Sequence, residues 1–134
     1  MQGEILYEEK LKILPGIDIG LVPEGRRVDL PFAGDVSGPS IHGKIDGVDY
    51  TLIRTDGVAL LHIHGVIATD GGDRISVEVS GFGTTTPEGR YAIKGALTFR
   101  TGSKEFFWLN STPGIAEGFF DMNKREVNAT IFKL

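Results

Sequence analysis

Cysteine is absent from this chain of 134 residues. That excludes disulfide frameworks, thiolate metal sites and a cysteine nucleophile, and it fits a reducing compartment. Basic charge is also short, with 14 Lys and Arg against 18 Asp and Glu and a formal net charge of −4. No basic field is therefore available to hold nucleic acid. No apolar run approaches the ~20 residues that would span a bilayer as a helix. The opening stretch MQGEILYEEKLKIL has no basic head followed by an apolar segment and a cleavage site, so no signal peptide is expected. Without one, the Asn-x-Thr triplets at Asn110 and Asn128 carry no expectation of glycosylation. Also missing are a Gly-x-Ser-x-Gly elbow, a P-loop and a His-Glu-x-x-His helix. The expectation is a single domain over residues 1–134, soluble and cytoplasmic, with neither nucleic acid nor membrane as partner.

What the chain does have is glycine, 19 residues spread along its length. Many fall in turn-like groups such as IDGVD, TDGV, TDGGD, TPEG and STPG, which supply a residue free to take positive φ, or a proline that fixes φ. Between them lie short segments rich in Val, Ile, Thr, Phe and Tyr, the chemistry of strands. DRISVEVSG alternates cleanly, with Ile75, Val77 and Val79 on one face and Arg74, Ser76, Glu78 and Ser80 on the other. EILYEEKLKI keeps Ile5, Tyr7, Leu11 and Ile13 at period two and also reads as a strand. No convincing helix longer than a turn is present. The spacing predicts an all-β fold, a closed antiparallel β-barrel of about eight to ten strands with a central cavity, because closure removes exposed edges without helices. Gly43, Gly65, Gly81 and Gly95 interrupt strand patterns and are expected to mark bends and bulges.

Three stretches could carry chemistry. In LLHIHG, His62 and His64 share one strand face, and with His42 or Glu78 they form a candidate set for zinc or iron. Against this, Leu61, Ile63 and Ile67 make the other face cleanly apolar. If that face lines the core, both imidazoles look outward. In GVDYTLIRTDG, Asp49 falls on the face opposite Tyr50 and Arg54. Pointed into an apolar barrel, its carboxyl would be desolvated and suited to proton transfer. The plainer reading gives Asp49 a turn-closing role, as for Asp46 and Asp56, each followed by glycine. In KEFFWLNSTPG, Phe106, Trp108 and Asn110 would share a strand face, an aromatic wall ending in an amide that can orient a small carbonyl compound. Core packing with a turn-forming Asn110 is the alternative. DGGD at 70–73 lacks the oxygen-ligand spacing of a calcium loop and reads as a hairpin turn. GFGTTTPEG has no helix after it to serve a phosphate.

SGPSIHGKI, GVDYTLIRTDG, LLHIHGVIATDGGDRISV and LTFRTGSKEFFWLN together, in that order, resemble the bacterial family known as domain of unknown function 3237. The resemblance covers roughly residues 30–133. It rests on Asp49 with Tyr50, Arg54 with Asp56, and Phe99 with Phe106, Trp108 and Asn110. It implies a small barrel similar to allene oxide cyclase within the lipocalin-like group, with a cavity for a small, largely apolar molecule. No reaction is implied, because fold and function are separable. Two departures stand out. The LLHIHG strand usually carries an acidic and a basic residue where His62 and His64 stand, and the preceding turn usually offers an arginine where this chain has Ser40 or His42. Titratable groups in place of a charged pair would imply pH dependence near 6 to 7.

Three functions compete at this stage. The first is a cofactor-free lyase or isomerase for a small carbonyl or unsaturated compound. In it Asp49 moves the proton, Asn110 with Arg54 or a histidine stabilises developing charge, and Tyr50, Phe99, Phe106 and Trp108 bind the ligand. The second is a non-catalytic binder of an apolar metabolite. The third is a histidine-ligated metalloprotein. A homo-oligomer is expected as well, since Leu60 and Val66 share the face of the histidines and could join an interface.

Overall fold

A computed structural model describes residues 3–134. Nine strands follow in chain order: β1 (Ile5–Ile13), β2 (Ile17–Val22), β3 (Gly25–Ser37), β4 (His42–Arg54), β5 (Ala59–Thr69), β6 (Arg74–Thr85), β7 (Tyr91–Arg100), β8 (Gly114–Asp121) and β9 (Glu126–Lys133). All pairings are antiparallel, and the meander from β3 to β9 closes through β9–β1 and β1–β3. The result is an eight-stranded barrel with β2 as an extra strand. β1 pairs the second half of β3, from Phe32 to Ser37, and β2 pairs its first half, from Gly25 to Asp29. The expected all-β barrel is present.

Three hairpins use one turn design. In each, the strand closes over a three-residue loop, with Arg54 N–H bonding Val58 C=O, Thr69 N–H bonding Asp73 C=O, and Thr86 N–H bonding Arg90 C=O. The last loop residue is Gly57, Gly72 or Gly89, with φ of 88°, 93° and 83°. Only glycine takes this left-handed position freely, so TDGV, TDGGD and TPEG were sound turn signals. The β8–β9 turn puts Arg125 in the left-handed region instead, at φ 54°. Its guanidinium donates to the carbonyls of Ile13 and Leu14, tying that turn to the end of β1.

The glycines inside strands behave differently from the expectation. Ladder register runs without shift through Gly43, Gly65, Gly81 and Gly95. The two register shifts lie between Ile5 and Tyr7 and between Asp18 and Gly20. Gly47 faces Gly65, and Gly81 faces Gly95. A Cβ on Gly47 or Gly81 would stand 2.6 Å from the opposing glycine Cα. These pairs permit close backbone approach rather than bulging.

Alternation then decides the inside. Ile45, Asp49 and Thr51 of β4, Leu61, Gly65 and Ile67 of β5, and Ile75, Val77 and Val79 of β6 are buried. Alternate residues such as Tyr50, His62, His64 and Ser80 are exposed. The segment after β7 corrects the sequence reading. Phe106, Trp108 and Asn110 do not share a strand face; Phe107–Ser111 is a 3-10 helix. Its Leu109 and the preceding Phe106 are buried in the core. Asn110 holds the loop, accepting from Thr101 N–H at 2.9 Å and donating to the carbonyls of Thr101 and Phe107. Local sequence favours a strand here, but these three bonds and two buried anchors bend the chain into a plug.

Candidate functional site

The barrel interior holds a cavity of about 170 Å³ at the end away from the plug. Apolar side chains make most of its wall, among them Leu30, Ile53, Leu61, Ile93 and Phe120, while Asp49, Thr51 and Tyr91 bring polar atoms. An engineered apolar cavity of ~150 Å³ takes up benzene, so this space encloses a fragment of about that size. Anything larger must extend through the open end. The Tyr91 ring stacks on Phe120 with centroids 6.4 Å apart.

Asp49 is 9% exposed and locally interrupts the sheet. The β4–β5 ladder runs to Asp49↔Ile63 and resumes at Leu52↔Leu60. Between them Asp49 Oδ1 accepts the His62 backbone N–H at 3.1 Å. A side-chain carboxylate thus takes a strand N–H as its donor. Burial pushes the Asp49 carboxyl above the usual aspartate range, against the His62 N–H bond, the Thr51 hydroxyl and the His62 and Arg27 side chains, which pull it down. Desolvation wins because the surrounding wall is hydrocarbon. Arg27 acts from outside the barrel, donating to Thr51 C=O at 2.8 Å and pairing with Asp29 at 2.8 Å.

The remaining sequence candidates do not gather around Asp49. Arg54 lies beyond the end of the inward run and clasps Asp56 with two hydrogen bonds of 3.1 and 2.6 Å. That clasp and the Val58 N–H hold the Asp56 carboxyl down at about 2, a turn-closing pair. Tyr50 is on the outer wall, 40% exposed, with its ring edge-on to His62 and His64. Phe99 and Phe106 are packed into the core toward the plug, where Phe99 meets Tyr7 edge-to-face. Trp108 is 41% exposed on the plug's outer side. Asp49, Trp108 and Asn110 therefore form no common pocket.

The histidine set also separates. His62 and His64 look outward, with their Nε2 atoms 3.3 Å apart. His42 stands at the far end of β4, with Nδ1 3.3 Å from Asp70 Oδ2. Glu78 approaches His64 at Nδ1, 3.7 Å away, on the nitrogen opposite the one facing His62. Among the described residues no group of three His, Asp or Glu side chains could hold a metal ion.

The residue that sequence reading passed over is Glu9. It shares the inward face of β1 with Tyr7, Leu11 and Ile13, all buried, and it is half-buried itself. Burial raises its carboxyl from 4.5 to about 7. The Tyr7 hydroxyl nearby is fully buried without a hydrogen-bond partner among the described residues. The signal was available, because period two passes through position 9. A second, wider hollow of about 620 Å³ lies on the outer wall among Lys10, Lys12, Lys44, Arg74, Asp35 and Glu126. Its charges are mixed and it is open to solvent, so it offers no desolvated group.

Comparison with other proteins adds family but no reaction. No curated protein matches the chain significantly. A crystal structure of a β-barrel like protein from Acinetobacter baumannii is 23% identical, with a TM-score of 0.88 over 98% of this chain and 94% of that one. A protein of unknown function from Clostridium acetobutylicum is 26% identical, again with a TM-score of 0.88, over 100% and 99%. An enzyme from Penicillium herquei is 18% identical, with a TM-score of 0.71 over 98% and 96%. Likeness at these identities shows a shared barrel. The match to the family described as "Protein of unknown function (DUF3237)" extends over residues 1–134, and the chain belongs to that family.

Proposed function

We propose that this barrel takes a small, largely apolar carbonyl or unsaturated compound into its open end and that Asp49 moves a proton on it, as a cofactor-free lyase or isomerase. The observation that carries the reading is a carboxyl at the wall of an apolar cavity, its proton affinity raised by burial. A base of this kind is stronger than an exposed aspartate. In an isomerisation, the ionised Asp49 would accept a proton from a carbon beside the carbonyl and return it to another carbon. The electron pair left behind would rest on the carbonyl oxygen. Tyr91, which shares the cavity lining, carries a hydroxyl that can donate to that oxygen, while the Thr51 hydroxyl is turned to Asp49. Arg54 and Asn110 have no part in this arrangement, being committed to the turn and the plug. That a neighbour with the same barrel is described as an enzyme supports the view that such a barrel can house a reaction.

A non-catalytic binder is the competing reading, favoured by the small polar share of the cavity wall. Asp49→Asn separates the two. Screening small enolisable ketones and unsaturated acids for turnover, then repeating hits with the variant, should show kcat down by about 10²–10⁴-fold with ligand affinity little changed. For the native protein, kcat/KM should rise with pH through a value above the ordinary aspartate range. Turnover that survives Asp49→Asn rules out the catalytic assignment. A change in affinity with no turnover in either protein favours the binder.

A further inference from the structure

The outward histidine pair fits a ligand that the cavity does not explain. We propose that His62 and His64 chelate one divalent transition-metal cation of the zinc and copper type through their two Nε2 atoms. Both residues sit on one face of β5 at positions i and i+2, and those nitrogens are 3.3 Å apart. Two imidazole nitrogens bound at about 2.0–2.1 Å to one tetrahedral ion lie about 3.3–3.4 Å apart. At this separation the two rings are within hydrogen-bond distance through an N–H···N contact, and an ion that displaces that proton finds both nitrogens at the separation it requires.

Three features hold it there. Ile63, between the two histidines, packs against the core, which fixes the strand face. The rings meet edge-on with centroids 5.0 Å apart, and the Tyr50 ring stands edge-on to both at 6.3 and 6.0 Å, limiting their rotation. Glu78 Oε1 lies 3.7 Å from His64 Nδ1. A carboxylate on that side favours the tautomer with its proton on Nδ1, leaving the Nε2 lone pair for a metal. Both imidazoles are exposed, so an ion can reach them and water can fill its remaining positions.

The site differs from the three-ligand centre that the sequence allowed. His42 is engaged with Asp70, and Glu78 faces the wrong nitrogen of His64 to bind the same ion. The proposal is independent of any chemistry at Asp49.

The test is calorimetric titration of untagged protein with zinc chloride in a non-chelating buffer, alongside His62→Ala, His64→Ala and His42→Ala. Circular dichroism checks each fold, and His64→Gln serves as a milder second variant. Saturable binding of one ion per chain is expected. It should weaken by about tenfold or more in either His62 or His64 variant, because losing one ligand forfeits the chelate. His42→Ala should bind as the native chain does. Absence of saturable binding, or binding that persists in both the His62 and His64 variants, overturns the assignment.

Discussion

The two ends of the barrel are built to different standards. At the plugged end, Ile41, Ile67, Ile75, Leu97 and Leu109 are at most 1% exposed, and the 3-10 helix is fastened across the opening by Asn110. At the other end, Ile53, Tyr91, Ile93 and Phe120 are only half-buried and leave a cavity beside Asp49. The first arrangement maximises contact between apolar surfaces. The second leaves contacts unmade and buries a carboxyl, both of which cost stability. The difference shows where a barrel of this size can place a site: the closed end secures the fold, and the open end carries the groups that packing alone would not choose.

The comparison can be broken by truncation. Leu109→Ala, at the plug, should destabilise by about 2–5 kcal/mol in chemical denaturation. Ile93→Ala, at the open end, should cost less than half as much, since its side chain is already half-buried beside space. Equal losses would mean that the ends do not differ in packing.

A somewhat smaller effect should appear as pH dependence at Glu9. Its folded-state value of about 7 lies above the ordinary 4.5, so the folded protein holds that proton more tightly than the unfolded chain. The associated stability is fully present below about pH 4.5 and is lost as pH rises through about 7. The difference corresponds to roughly 3 kcal/mol at most. Urea unfolding of Glu9→Gln between pH 4.5 and 8 should lack this component, which the native protein shows. Identical pH profiles for the two would place Glu9 in water.

Much of this fold was readable from alternation and turn chemistry. Period two in DRISVEVSG, LLHIHG and GVDYTLIRTDG separated the two faces of each strand, because a one-residue slip would invert an entire strand. It left open which face lines the cavity; the structure puts Asp49 on the inner face and both histidines on the outer one. The three hairpin glycines were readable because their φ values leave little choice of residue. Glu9 escaped notice since a carboxylate in an apolar pattern is ordinarily read as solvated. The plug escaped for another reason. FFWLN has strand-like composition, and only distant partners, Thr101 and the core beneath Leu109, make it turn. Nothing in the sequence could show that His62 and His64 bring their Nε2 atoms 3.3 Å apart, since the rotation of each ring depends on neighbours such as Tyr50 and Glu78 on adjacent strands.

The most direct test of the account is to locate bound fragments by methyl-resolved NMR, using ring compounds of about benzene size bearing a single carbonyl. Shift changes concentrated on the methyls of Leu30, Ile53, Ala59, Leu61 and Ile93 would place the ligand in the open-end cavity beside Asp49, as the account predicts. Changes confined to the outer wall, or none at any of these methyls, would contradict it.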